Sequence, residues 1–493
     1  MDVPRPPSWV QDAVFYQIFP DRFAKSARVP KPRHLERWQD PPTELGFKGG
    51  DLLGIAERLD YLSDLGVTAI YLNPIFQSAA NHRYHTHDYY RVDPLLGGNE
   101  AFAGLLRACH ARGIRVVLDG VFNHASRGFF AFHHILENGP SSPYRDWFHI
   151  HGYPLHAYES SQRRLNYASW RGLPALPKFN IKTSAVRDYL LGVAEHWMRE
   201  GIDGWRLDVP TEIADAEFWR ALRRRVKAAN PEAYLVGEIW DTAPDWLRGD
   251  RFDALMNYPF SRLCLGFFGG RWLDTSARPG GYRLRPLGAP EFARRIEAMF
   301  GHHPWPVNLA QLNLLGSHDT PRALTVLGGI TERLRLALLF MMTSPGAPCI
   351  YYGDEVGLSG GPEPACRGAM PWQRSRWDSD LHEYVRRLIA TRRRYTALRR
   401  GTYATLYAAR GVYAFSRNHN GETMLIVLNA NEHPARVQIR VAGHLHVRMA
   451  LQPVLGGEEA AVVRGSTSPI PLAALTGGVW IASPAREARA GRT

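Results

Sequence analysis

Over nearly the first four-fifths of the chain, short apolar runs alternate with amphipathic stretches. That alternation is the pattern of parallel strands covered by helices. The apolar runs place strands at 14–19, 69–72, 115–118, 204–207, 234–237, 254–257, 313–315 and 349–352. Eight is the number that closes a (β/α)8 barrel, a TIM barrel of the α/β class. Helical periodicity fills the gaps, for example at 53–65, 100–112, 185–200, 216–229 and 332–342, with Gly66, Gly113 and Gly201 placed as C-terminal stops. The connection 125–182 is far too long for an ordinary loop and is rich in aromatic, His, Pro and Ser residues. It reads as a small excursion domain between the third strand and its helix. After residue 400 the pattern changes to short β-type runs at 412–417, 424–429, 435–441 and 479–482, with Asn420-Gly421 as a hairpin turn. The expected organisation is therefore a barrel formed by 1–124 and 183–400, the excursion at 125–182, a C-terminal antiparallel β-sandwich at 401–485 and a frayed tail at 486–493.

Composition narrows the class. The chain has 493 residues, 45% hydrophobic and 22% charged, which suits a globular protein of several domains. Residues 1–7 are polar and proline-rich, without the apolar core of a signal peptide, and no apolar run of about 18 residues occurs. A cytoplasmic protein with no membrane partner is expected. The four cysteines, Cys109, Cys264, Cys349 and Cys366, show no metal spacing and read as reduced thiols. The net charge of +13 could advertise a polyanion, but the basic residues are dispersed and clusters such as 223–225 and 392–394 fall in helical segments. With no recognition motif beside the charge, no nucleic-acid partner is expected.

The chemistry lies where strands end. In GIDGWRLDVP, residues 201–210, strand alternation puts Arg206 and Asp208 on one face, and a guanidinium beside a carboxylate keeps the acid ionised. A structural ion pair closing the strand would look the same. Three further clusters shift the balance: Asp119 to His124 (DGVFNH), Glu238-Ile239-Trp240 and Ser317-His318-Asp319. In a barrel these ends share one rim, so four carboxylates, two histidines and an arginine converge. Such a set suits glycoside hydrolysis, in which one carboxylate attacks the anomeric carbon and another donates a proton to the leaving oxygen. Glu238 follows an apolar strand and precedes Trp240, an environment that favours a proton donor.

These clusters, in this order, resemble the short motifs of the α-amylase family of glycoside hydrolases along essentially the whole chain. VFYQIFPDRF (14–23), LPKFN (176–180) and MNYP (256–259) resemble the neopullulanase, cyclomaltodextrinase and maltogenic amylase branch. The resemblance implies a retaining α-glucan hydrolase acting on α-1,4 bonds, either alone or together with α-1,6 bonds, of maltodextrins, cyclodextrins or pullulan. It implies Asp208 as nucleophile, Glu238 as general acid/base and Asp319 as the acid that holds the sugar in a distorted ring. Arg206 would orient Asp208, His124 and His318 would bind sugar hydroxyls, and Tyr84 would stack on the sugar. Trp240 and Arg322 join as substrate-binding candidates by their position, while Asp119 reads as a structural acid of the rim.

Departures from the pattern set further expectations. The first strand begins at about residue 14, so the N-terminal β-domain common in this branch is expected to be missing and the protein to be a monomer. Asp21-Arg22-Phe23 is followed by Ala24-Lys25-Ser26-Ala27-Arg28, which offers no calcium cage, so no metal or cofactor is expected there. Relatives also bind calcium near the position of Asn123. His85 stands where an Asp is common, and Asp241 where a His is common. His82, His85 and His87 lie close enough in sequence to ligate zinc, but only Asp88 supports them. Among Trp147, Tyr153, Tyr158 and Trp170, at least one is expected to line the cleft. Two rival readings remain: an α-glucan transglycosylase or trehalose-forming isomerase with the same active site, and a non-catalytic barrel subunit. The second would be marked by loss of an acid, and all three are present.

Overall fold

The computed structural model describes residues 5–159, 164–444 and 449–484. Its eight central strands are β1 (Phe15–Ile18), β2 (Ala69–Leu72), β3 (Arg115–Gly120), β4 (Gly204–Leu207), β5 (Tyr234–Gly237), β6 (Ala254–Asn257), β7 (Leu312–Leu314) and β8 (Ala347–Tyr351). They are hydrogen-bonded in sequence order into a closed barrel, with β8 beside β1. Apart from Arg115 every residue of these strands is buried, and most are apolar, which is why the runs stand out in the sequence; Gln17, Asp119, Arg206, Asn257 and Asn313 are the buried polar exceptions. All eight strands expected from the sequence are present, with ends shifted by two residues at most. The chain falls into two compact units, Met1–Met256 with Glu363–Trp372, and Asn257–Pro362 with Gln373–Thr493.

In the first unit, parallel registers align the strand ends that matter. Asp119 of β3 stands opposite Arg206 of β4, and Leu207 opposite Gly237 of β5. A Cβ on Gly204 would lie 2.2 Å from the Tyr234 carbonyl, so only glycine admits this approach of β4 to β5. Asp203 fastens the start of β4, accepting from Val116 N–H at 2.8 Å and pairing with Arg115 at 2.7 Å. Outside the strands lie amphipathic helices such as Ala216–Ala229, capped by Asp215 and burying Phe218, Trp219, Leu222 and Val226. Gly66 and Gly201 end their helices in left-handed conformations, as expected. The expected helix 53–65 is broken into Leu52–Ala56 and Leu59–Leu65. At the break, Ser26 Oγ donates to Glu57 and the Arg58 guanidinium lies 4.3 Å over the Trp372 ring, contacts that compete with a continuous helix.

Two insertions shape the rim of this unit. A hairpin of Phe76–Ser78 with Thr86–Val92 follows β2 and carries residues 79–85 in its loop. The excursion after β3 holds the helix Phe130–Asn138 and isolated bridges His124↔Lys178, Phe148↔Phe179, Ile150↔Tyr167 and Ser169↔Pro177. Phe129, Phe148 and Phe179 pack there, with Phe148 stacked on Phe179 at 5.2 Å. Residues 160–163 lie outside the described residues.

The second unit contains a seven-stranded antiparallel sheet, in the order Thr402–Ala409, Val412–His419, Glu422–Asn429, Thr476–Pro484, Met449–Leu455, Ala460–Val463 and Ser466–Thr467. Asn420 and Gly421 join the second and third strands with φ of 47° and 85°, the two-residue turn expected there. A two-stranded piece, Ala435–Val437 with Ile470–Leu472, shares a core with the large sheet through Val437, Leu425, Val427 and Trp480. The run 435–441 is a strand only to Val437. Beyond it Ile439 and Val441 hydrogen-bond individually to Thr467 and Gly465. The tail expected at 486–493 lies outside the described residues. Among the described residues no helix is long and apolar enough to cross a membrane, and all four cysteines are buried free thiols.

Candidate active site

One guanidinium organises the rim of the first unit. Arg206 has no exposed surface, and its Nη1 lies 2.8 Å from Asp119 and 2.9 Å from Asp208, with Nη2 2.9 Å from Glu238 Oε2. Burial works against its charge, but Asp119 and Glu238 hold its pKa well above the ordinary arginine value. Three carboxylates thus share one fixed cation. Removing the guanidinium would cost about 3–5 kcal/mol, because the buried carboxylates would stay uncompensated. Asp119 is the inner member: it accepts from Tyr71 OH at 2.7 Å and Tyr84 OH at 2.8 Å. Burial pushes its carboxyl upward against the pull of Arg206 and the two phenols. Asp208 and Glu238 are also buried, and their backbone N–H groups donate to Gly120 and Leu207, so the strand ladder fixes both. Trp240 Nε1 donates to Glu238 Oε1 at 3.1 Å.

Tyr84, in the hairpin loop, also accepts from Asn73 Nδ2 at 3.1 Å and stands 3.4 Å from Arg206 Nη1. His124 follows β3, buried, and stacks on Trp170 at 5.4 Å. Of the four excursion aromatics considered from sequence, Trp170 is thereby tied to a predicted site residue. Burial first, and then the nearby His85, push the His124 imidazole down to about 3, so it is neutral at any working pH. Asn123 Nδ2 lies 3.2 Å from His124 Nδ1, so the amide orients the ring. The LPKFN segment is held here because Phe179 N–H donates to Asn123 and Ala125 N–H to Pro177. His85 is pushed down to about 4, by burial and then Arg127, and burial also lowers His87. Among the described residues no group of three His, Cys, Asp or Glu is placed to hold a metal. In the first loop, Asp21 pairs with Arg22 and accepts from Lys48 N–H. Asp51 pairs with Lys31 at 2.7 Å, so protein cations and donors occupy both acids.

In the second unit, Ser317, His318 and Asp319 follow β7. His318 is fully buried, with Nε2 3.2 Å from Asp319 Oδ2. The MNYP segment buttresses this loop. Asn257 Nδ2 donates to Asn313 on β7, and the Tyr258 hydroxyl lies 3.1 Å from Ser317 Oγ. Arg322, read from the sequence as substrate-binding, has no exposed surface. It donates to Asp354 at 2.9 Å and to the Tyr352 carbonyl at 2.8 Å, and lies 4.4 Å over the Tyr351 ring. Its observed contacts hold the end of β8.

Burial pushes the Asp354 carboxyl up to about 7 in spite of Arg322. A carboxyl raised in the fold binds its proton more tightly folded than unfolded. Its contribution therefore makes stability fall as pH rises from about 4, the unfolded value, to about 7, and leaves it flat above. Asp354→Asn should lose this slope. Urea midpoints at pH 5 and pH 8 should drop further for the wild type than for the variant, and equal drops would refute the assignment.

Sequence reasoning missed Tyr71 and Val209. A tyrosine inside an apolar barrel strand was a signal, since a buried phenol needs a partner. Nothing in the sequence marks Val209, whose N–H donates to Glu238 Oε2 at 3.0 Å.

Comparison with known proteins follows the same lines. Residues 17–396 match the family described as alpha amylase, catalytic domain, and residues 403–481 match neopullulanase-like, C-terminal domain. A cyclomaltodextrinase of Geobacillus thermopakistaniensis (strain MAS1) is 45% identical over 445 residues, covering 90% of this chain and 72% of that protein. The crystal structure of Ttha1563 from Thermus thermophilus is 52% identical, with a TM-score of 0.92, covering 96% of this chain and 99% of that one. The debranching enzyme from Nostoc punctiforme is 46% identical, with a TM-score of 0.89, covering 97% and 100%.

Proposed function

We propose, for a chain that belongs to the α-amylase family of glycoside hydrolases, that it hydrolyses α-glucosidic bonds of maltodextrins, cyclodextrins or pullulan with retention at the anomeric carbon. The observation that carries this reading is the Arg206 guanidinium, which holds Asp208 and Glu238 at 2.9 Å each. Two carboxyls held by one planar group are close together, as a retaining pair separated by roughly 5–5.5 Å must be; an inverting pair stands farther apart. In this reading Asp208 attacks the anomeric carbon while Glu238 gives its proton to the leaving oxygen. Glu238 then takes a proton from the water that releases the sugar. Arg206 keeps Asp208 ionised, and Asp119 with Tyr71 and Tyr84 keeps Arg206 in place. His124 offers a neutral imidazole to a sugar hydroxyl, its neutrality ensured by burial. Asp319 and His318 would bind the hydroxyls of the sugar being cleaved, Tyr84 its face and Trp240 the neighbouring ring.

The substrate range is read from the names of relatives, among them cyclomaltodextrinase and neopullulanase. The four buried thiols suit a reducing compartment, and we place the protein in the cytoplasm. The test is product analysis on maltotriose, β-cyclodextrin and pullulan, with the anomer followed by NMR from the first minute. The expected result is new reducing ends released in the α configuration. Initial β-anomer would overturn retention, and glucan rearrangement without new reducing ends would overturn hydrolysis in favour of transfer.

A further inference from the structure

Val209 directly follows Asp208 and adopts φ 34° and ψ 51°. Two local rules oppose that conformation. A β-branched side chain clashes in the left-handed region, and the following Pro210 drives the residue before it to extended backbone. Backbone held against such preferences persists only where its surroundings over-determine it, and it collects at functional sites. The surroundings here are explicit. Asp208 N–H donates to Gly120 at 3.1 Å, Val209 N–H donates to Glu238 Oε2 at 3.0 Å, and the Val209 carbonyl accepts from Glu212 N–H at 3.0 Å. The left-handed φ turns the chain away from β4 into the short helix Pro210–Glu212, while the Asp208–Val209 peptide keeps its N–H on the carboxylate.

We infer that the backbone N–H of Val209 is a positioning donor that ties the Glu238 carboxyl to the peptide beside Asp208. This rests on the reading of Asp208 and Glu238 as nucleophile and acid/base. The strain at Val209 is retained because it keeps the two acids in register. Val209 N–H and Arg206 Nη2 meet at the same oxygen, Oε2, while Trp240 Nε1 donates to Oε1.

The direct test replaces Val209 by its α-hydroxy acid, so that an ester oxygen stands in place of the N–H while side chain and turn stay the same. The value of kcat/KM reports the step in which the glycosyl-enzyme forms. On a maltooligosaccharide, whose leaving group needs the proton, it should fall about 10–100-fold. On an aryl α-maltoside with an activated leaving group it should change by less than about threefold. Val209→Asn keeps the N–H and suits a left-handed backbone, so it should raise the unfolding midpoint and keep the wild-type ratio of kcat/KM between the two substrates. Wild-type activity of the ester on maltooligosaccharide, or an equal loss on both substrates, would overturn the inference. Asp208→Ala measured beside it separates the two claims. If that variant stays active, the reading of the site fails. If it is inactive and the ester behaves as wild type, the role of Val209 alone fails.

Discussion

Asp208→Ala should lower kcat/KM by about 10⁵-fold on every α-glucan and on activated aryl α-glycosides alike. In the proposed roles the loss is uniform, because the variant would lack the atom that bonds to the anomeric carbon, and no leaving group compensates for that. The fold should survive. Arg206 faces three carboxylates, so removing Asp208 leaves it with Asp119 and Glu238 and relieves like-charge crowding. The unfolding midpoint should therefore equal or exceed that of the wild type, which separates a lost nucleophile from a lost fold. Azide can enter the vacated position, and any turnover it restores should give the β-configured glycosyl azide. Activity within about tenfold of wild type would remove Asp208 from the nucleophile's role.

Glu238→Ala should cost about 10²–10⁴-fold on maltooligosaccharides, the range of a lost general acid. Its signature is selectivity. An aryl α-maltoside with a good leaving group should still form the intermediate, which would accumulate for want of a base to activate water. Azide needs no base and attacks from the face opposite Asp208, so it should restore turnover and give the α-configured glycosyl azide. The two variants are thus distinguished by the configuration of one product. If Asp208→Ala gave the α-azide and Glu238→Ala the β-azide, the roles would be exchanged.

Much of this was legible in the sequence for one physical reason: strands buried on both faces are built mostly of apolar residues, so the polar groups towards their ends stand out. Arg206, Asp208 and Glu238 were found in that way, and the structure brings them together around one guanidinium. Gly66, Gly201 and Asn420-Gly421 were legible because few residues tolerate positive φ. What escaped depends on partners distant in sequence. Arg322 sits three residues from Asp319, yet its contacts are with Asp354 and the tyrosines beside it, which its own neighbourhood does not reveal. The break at Glu57 and Arg58 depends on Ser26 and Trp372. Val209 runs against its sequence altogether, since a β-branched residue before proline is expected to be extended.

The central claim is that Asp208 carries the glycosyl group between the two half-reactions. Trapping that species tests it most directly. The wild-type protein, incubated with 5-fluoro-α-glucosyl fluoride, digested and analysed by mass spectrometry, should yield a peptide spanning 201–210 that bears one fluoroglucosyl group on Asp208. Label on Glu238 or Asp319, or initial release of β-anomer with no labelled peptide, would contradict the account.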